Sequence, residues 1–185
     1  MFRTYVSAEE FMQIALDPAN ADRRLQRIDG EIIEVVSNNK ASESAINVSG
    51  ELYSFVRPRK LGRVTGSDGG YTIAGEQYIP DCAFVSYQRQ PHTTSEAYPD
   101  IAPDLVVEVL SPGNLSSSEE RAKLARKVAN YLAADCELWL LDPEAEKLER
   151  YLPNQPVRTY RNGEVLEGGG VLEGFRLEIS AIWPQ

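Results

Sequence analysis

Residues 103–112 read PDLVVEVLSP. From Leu105 to Leu110 every position but one is apolar, the pattern of a strand covered on both faces. A polar stretch follows, in which Ser116-x-x-Glu119 or Ser117-x-x-Glu120 forms a capping box. A helix is therefore predicted, with Leu124, Val128, Tyr131 and Leu132 along one side. CELWLLDP, residues 136–143, is a second buried strand. Strand, helix and strand within about 40 residues make a βαβ-like unit, which sets the two strands near each other in one sheet.

Toward the N-terminus, SAEEFMQIALD (7–17) opens with the capping pattern Ser7-x-x-Glu10 and predicts a short helix. IDGEIIEVV (28–36) carries a D-G turn and then a β-branched run from Ile32 to Val36, a strand. ESAINVSGELYSFVRPRK (43–60) places Ala45, Val48, Leu52 and Phe55 at helical spacing and is expected to end at Pro58. Between Gly62 and Tyr87 alternation and turns predict two or three antiparallel strands, the last being YIPDCAFV. After the βαβ-like unit, Asn162-Gly163 in VRTYRNGEVLEG signals a type I′ hairpin, and the chain closes with GFRLEISAIW. No repeat, linker or low-complexity tract divides the sequence, so residues 1–185 are expected to form one α/β (α+β) domain with C-terminal β-hairpins.

With 28 acidic and 19 basic residues among 185, the net charge is −9. A chain of this length can bury roughly 70% of its unfolded surface and needs no disulfide or structural metal to fold. The 42% hydrophobic content fits an ordinary globular protein and excludes disordered and fibrous classes. No apolar stretch is long enough to span a membrane, and MFRTYVSAEEFMQ has acids where a signal peptide needs its apolar core. A soluble, cytoplasmic protein is expected. Cys82 and Cys136 lie in apolar runs without metal-ligand spacing and read as small core residues, and with His92 they are too few for a zinc site. His92 itself sits in the polar loop QPHTTSEAYPD and reads as a solvated residue. The acidic balance argues against broad attraction to nucleic acid. A local basic groove is conceivable from Arg57, Arg59, Lys60 and Arg63 with Arg121, Lys123 and Arg126. For the first cluster, cations complementing a helix C-terminus is the favoured reading.

Glu108 does not belong where it is. It shares a strand face with Val106 and Leu110, where an ionised carboxylate is costly unless paired, hydrogen-bonded or bound to a metal. Asp81 repeats the anomaly beside Ile79, Ala83 and Val85. On the helix between the buried strands, Lys127 falls roughly 60° from Leu124, at the margin of the apolar stripe, and can reach inward. Two readings stand. Lys127 neutralises both acids in a purely structural network, or the acids bind a hard divalent cation with the lysine beside an activated water. Pro99-Asp100 and Pro103-Asp104 are weaker candidates, since Pro-Asp is ordinary turn chemistry.

Pro80-Asp81, then Glu108-Val109-Leu110, then a helix carrying Lys127, resembles the PD-(D/E)xK nuclease superfamily. More closely, the chain resembles the bacterial "putative restriction endonuclease" family, long catalogued as a domain of unknown function. The resemblance runs through IDGEI, PDCAFV, PDLVVEVLSP, K-V-A-N-Y, ELWLLDP and LEGFRLEISAIW in order, nearly the whole chain. It implies a restriction-endonuclease-like mixed sheet flanked by helices. It also implies Asp81, Glu108 and the Val109 carbonyl as metal ligands, with Asp81, Glu108 and Lys127 as the catalytic set. In the superfamily a lysine commonly lies two residues after the second acid, where this chain has Leu110. The family instead supplies it from the following helix, at Lys127. Gln26 stands in place of a usual glutamate, Glu43 in place of a common histidine, and Leu138 in place of a frequent tyrosine.

The function so implied is Mg²⁺-dependent hydrolysis of DNA phosphodiester bonds, with Mn²⁺ as a substitute ion. Magnesium favours oxygen ligands and retains waters, so two carboxylates, a carbonyl and a phosphate oxygen suit it. The alternative is a catalytically inactive module of the same fold that binds DNA or a protein partner. The intact acid–acid–lysine trio favours the enzyme, whereas Gln26 and the acidic surface favour the binder. A homodimer would supply two sites for cutting both strands.

Overall fold

A computed structural model describes residues 5–184. Its centre is a six-stranded mixed sheet of order β10-β9-β8-β7-β6-β3. The strands are β3 (Gly62–Gly66), β6 (Cys82–Ser86), β7 (Leu105–Val109), β8 (Glu137–Asp142), β9 (Lys147–Tyr151) and β10 (Arg158–Arg161). β7 and β8 run parallel and adjacent, joined by helix α3 (Ser118–Ala133), which is the βαβ-like unit expected from the sequence. All other pairs in this sheet are antiparallel. Ser117, the second of the two candidates, caps α3 by accepting the Glu120 N–H at 3.1 Å.

Alternation along β6 and β7 divides the core in two. Cys82, Phe84, Leu105, Val107 and Val109 face helix α2 (Asn39–Arg59), meeting Val48, Leu52 and Val56. Ala83, Val85 and Val106 face the other way, onto Tyr131 of α3 and a four-stranded sheet. That sheet has the order β2-β1-β5-β4, from β1 (Leu25–Ile28), β2 (Glu31–Glu34), β4 (Tyr71–Ile73) and β5 (Glu76–Tyr78). Each leucine or valine buried in these layers contributes about 1.5–3 kcal/mol. Cys82 and Cys136 are buried free thiols.

α1 (Ala8–Ala15) forms behind the Ser7–Glu10 capping box. α2 begins four residues earlier than the apolar pattern indicated, because Asn38 caps it through the Ala41 N–H at 2.8 Å. It also runs past Pro58 to Arg59. Pro58 lies in the last turn, where one lost hydrogen bond is tolerated, and Lys60 at φ 53° then ends the helix.

Two expectations need correction. YIPDCAFV is not one strand: β5 ends at Tyr78 in the smaller sheet and β6 starts at Cys82 in the larger. Pro80 lacks the N–H a continuous ladder needs, so the chain changes sheets there and leaves Asp81 at the seam. Asn162-Gly163 does not close a hairpin. Only Gly163 has positive φ, whereas a type I′ turn needs two, and the flanking β10 and β11 (Val165–Glu167) pair with β9 and β12 (Arg176–Glu178) instead. The I′ geometry occurs at Asp29-Gly30, with φ 53° and 74°, joining β1 to β2. The β9–β10 and β11–β12 pairs are the C-terminal hairpins. Leu166, Phe175, Leu177, Ile182 and Trp183 join the α2 side of the core.

Candidate active site

The register of β6 and β7 pairs Cys82 with Val107 and Ala83 with Val106. Continued by one residue, it brings Asp81 opposite Glu108. Asp81 Oδ2 accepts the Val109 N–H at 2.7 Å, which ties the carboxylate to the strand carrying the second acid. From α3, Lys127 Nζ lies 2.8 Å from Glu108 Oε1, and one turn on the Tyr131 hydroxyl donates to the same oxygen at 2.6 Å. Residues four apart on a helix share a face. Lys127 and Tyr131 are the buried residues of α3, while Leu124, Val128 and Leu132 are only partly covered. The buried seam thus centres on the lysine that the sequence pattern placed at its margin.

Asp81, Glu108, Val109 and Lys127 line one cavity of about 590 Å³, with Gln26 and Asn114. Burial pushes the Asp81 carboxyl up to about 6 and the Glu108 charge adds to that, against the Val109 N–H and the cations Lys127 and Arg24. Two acids share one small region, and among the described residues only Lys127, of the two cations near them, forms an ion pair, with Glu108. Asp81 uses Oδ2 and Glu108 uses Oε1 for all their contacts within the described residues. Among the described residues Asp81 Oδ1 and Glu108 Oε2 therefore have no hydrogen-bond partner, and neither is sealed away from solvent.

The remaining candidates fall elsewhere. His92 is exposed, and its carbonyl accepts from Arg63. Asp100 is exposed, and Asp104 accepts the Ser86 N–H and the Arg89 guanidinium, a loop brace. Of the suggested basic groove, only Lys123 and Arg126 are paired with acids among the described residues, while Arg57 donates to the Tyr53 hydroxyl and Arg121 to the Leu115 carbonyl. Arg59 donates to the Phe55 carbonyl at the end of α2. Arg63 binds loop carbonyls, Lys123 meets Glu31, Glu119 and Glu120, and Arg126 meets Asp29 and Glu76.

Sequence matching supplies the family. The Uma2 family, described as "putative restriction endonuclease", matches residues 8–180. The chain belongs to the Uma2 family. This Uma2 chain also shares its fold with a crystallised "putative nuclease" of the DUF820 group from Anabaena variabilis. The TM-score is 0.80, with 20% identity over 96% of this chain and 97% of that one. No curated protein matches the sequence.

The family departures have separate fates in this Uma2 protein. Gln26 is buried in the site cavity, where its Oε1 accepts the Ile79 N–H at 3.2 Å. Glu43 is exposed on α2, and Leu138 is a core residue of β8. Sequence reasoning missed the phenol of Tyr131, which an i to i+4 count from Lys127 could have found. It also missed Arg24, a cation beside Asp81 that no periodicity marks. For a hard divalent cation the donor chemistry fits, since two carboxylates each keep one oxygen free of protein partners. Among the described residues no group of three or more His, Cys, Asp or Glu gathers, so a cation here depends on carbonyl, water or phosphate oxygens for the rest of its shell.

Proposed function

We propose that this chain is a Mg²⁺-dependent endonuclease of the PD-(D/E)xK type that hydrolyses DNA phosphodiester bonds, with Mn²⁺ as a substitute ion. The supporting observation is the pair of unpartnered carboxylate oxygens, on Asp81 and Glu108, in a cavity that also holds the Lys127 amine. When bound, the divalent cation supplies positive charge to the scissile phosphate and makes a water more acidic. Asp81 and Glu108 are its side-chain ligands in this reading, and the Val109 carbonyl is a third oxygen. The Val109 N–H holds Asp81 in place, and Tyr131 does the same for Glu108. Lys127 carries three N–H donors. With Glu108 committed to the cation, they orient the attacking water or meet the charge developing on the phosphate. Water adds across one P–O bond: its oxygen joins phosphorus, one proton is released, and the other is carried by the leaving oxygen.

A soluble protein acting on DNA in the cytoplasm fits this chemistry, and no helix among the described residues is long and apolar enough to cross a membrane. A homodimer would allow both strands of a duplex to be cut. The second reading, a module that binds DNA or a protein without cutting, is favoured by Gln26, an amide where the family usually places an acid. Thermal melting with added Mg²⁺ or Mn²⁺ tests the site, because a ligand held by the folded state alone raises its melting temperature. Wild type should be stabilised and Asp81→Ala should not. Superimposable titrations would overturn the metal site, and metal-dependent DNA binding without hydrolysis would leave the binding module.

A further inference from the structure

A second cavity, of about 430 Å³, lies on the other side of Asp81 and shares Asp81 and Ser37 with the first. Its chemistry is different. Tyr53 and Ile46 of α2 stand exposed along it, beside Ala45 and Gly50, and Arg24 enters from the strand side. Among the described residues Arg24 is not hydrogen-bonded through its guanidinium and forms no ion pair, although it lies close enough to Asp81 to lower that group's proton affinity. The α3 cations Lys123, Lys127 and Arg126 are, by contrast, all paired with acids.

A polar cavity that takes a phosphate and an apolar one that carries an aromatic ring and a free guanidinium, meeting at one carboxylate, match the parts of a nucleotide. We propose that the second cavity seats the base of the nucleotide next to the scissile phosphate, and that the substrate is therefore single-stranded DNA. This rests on the nuclease reading above. A base inside a duplex is stacked and paired, and enters a concave pocket only if it is flipped out at a cost of a few kcal/mol, which an already single-stranded base does not incur. An unpaired base can enter with Arg24 beside its phosphate and, as a stacking surface, the face of Tyr53 opposite the Arg57 guanidinium, which lies 5.3 Å from the ring centroid. The charge distribution points the same way. With a net charge of −9, and with Lys123, Arg126 and Lys127 of α3 paired with acids, long-range attraction to two duplex backbones is weak and local stacking supplies affinity.

The test uses the whole protein, a fluorescein-labelled oligonucleotide and its duplex, with binding read by anisotropy in Ca²⁺ and cleavage in Mg²⁺. Gly50 offers a clean way to fill the pocket. A Cβ there meets nothing within 4 Å, and leucine is the better helix former. Wild type should bind the single strand at least about ten-fold more tightly than the duplex, and Gly50→Leu and Tyr53→Ala should each erase most of that preference with no loss of melting temperature. Equal affinity for both forms, unchanged in Gly50→Leu while cleavage persists, would overturn the base pocket and leave the nuclease reading intact. Failure to bind or cut either form would overturn both. A Gly50→Leu protein that alters self-association but not DNA binding would make the cavity a contact between copies of the chain, against the proposal.

Discussion

Two acidic networks flank α3, one around Glu76 and one around Glu108, and they differ in how completely their oxygens are used. Glu76 is 4% exposed and fully engaged. Its Oε1 accepts from the Asp29 N–H and the Arg126 guanidinium, its Oε2 from the Tyr78 hydroxyl, and that hydroxyl accepts in turn from Asn130. Glu108 Oε1 is as well served by Lys127 and Tyr131, but its Oε2 is not, and Asp81 across the sheet repeats the pattern. A saturated network has no capacity left for a ligand and ties the β1–β2 turn to β5 and α3. An unsaturated one keeps ligand capacity at a cost in stability. Burial does not separate the two acids. The count of free oxygens does.

The comparison is tested most severely by activity. Asp81→Ala and Glu108→Gln should each lower kcat for DNA hydrolysis by at least about 10³-fold while the protein remains folded. Glu76→Gln should change kcat less than about ten-fold. Near-normal turnover in Asp81→Ala would break the assignment of the two networks.

Stability should show the reverse order. Glu76→Ala strands the Tyr78 hydroxyl and the Asp29 N–H and is expected to cost about 3 kcal/mol in urea unfolding, most of it from the buried side, because Arg126 is half exposed and regains water. A cost below about 1 kcal/mol would mean that Glu76 is not the structural acid of the pair.

How much of this was legible before the structure follows from where each signal lives. The β7–α3–β8 unit announces itself because apolar runs and capping boxes are local patterns. Asp81 and Glu108 were visible as charges among apolar neighbours, and Lys127 as a residue within reach. What the sequence hid is relational. Pro80 reads as an interruption within a strand, yet it moves the chain from one sheet to another. Asn162-Gly163 and Asp29-Gly30 look alike as turn dipeptides, and only the partners of the flanking strands decide which closes a hairpin. Arg24 has no periodic context, and its place beside Asp81 appears only after β1, which follows it, docks on β5. The Glu76 network needed the same docking to bring Asp29, Glu76 and Arg126 together.

Proton linkage distinguishes the unsaturated site further. The Asp81 carboxyl titrates at about 6, above its ordinary 3.8, so between those values the folded protein keeps a proton that the unfolded chain has lost. Stability from this group therefore falls as pH rises through that window, and the penalty stays constant above it. Asp81→Asn removes the penalty and can still accept the Val109 N–H. It should stabilise the metal-free protein by up to about 3 kcal/mol at pH 7, and the gain should shrink to roughly 0.5 kcal/mol near pH 4. A gain that persisted in full at pH 4 would assign it to packing.

The smallest difference expected is between two hydroxyls, and it sharpens the comparison because the rings are both buried and stand 5.2 Å apart. Tyr78→Phe removes a donor to Glu76 Oε2 and an acceptor for Asn130, leaving an oxygen and an amide without their partners. Tyr131→Phe removes one of two donors to Glu108 Oε1, and Lys127 still holds that oxygen. Each unpaired buried group costs on the order of 1 kcal/mol, so Tyr78→Phe should lose about 2 kcal/mol and Tyr131→Phe about 1. Metal affinity should move the other way. Tyr131→Phe loosens a carboxylate assigned to the cation and should weaken Mn²⁺ binding several-fold, whereas Tyr78→Phe touches no ligand. Equal losses of stability with equal effects on Mn²⁺ would show that the two networks act as one, and that counting free oxygens does not separate a structural acid from a binding one.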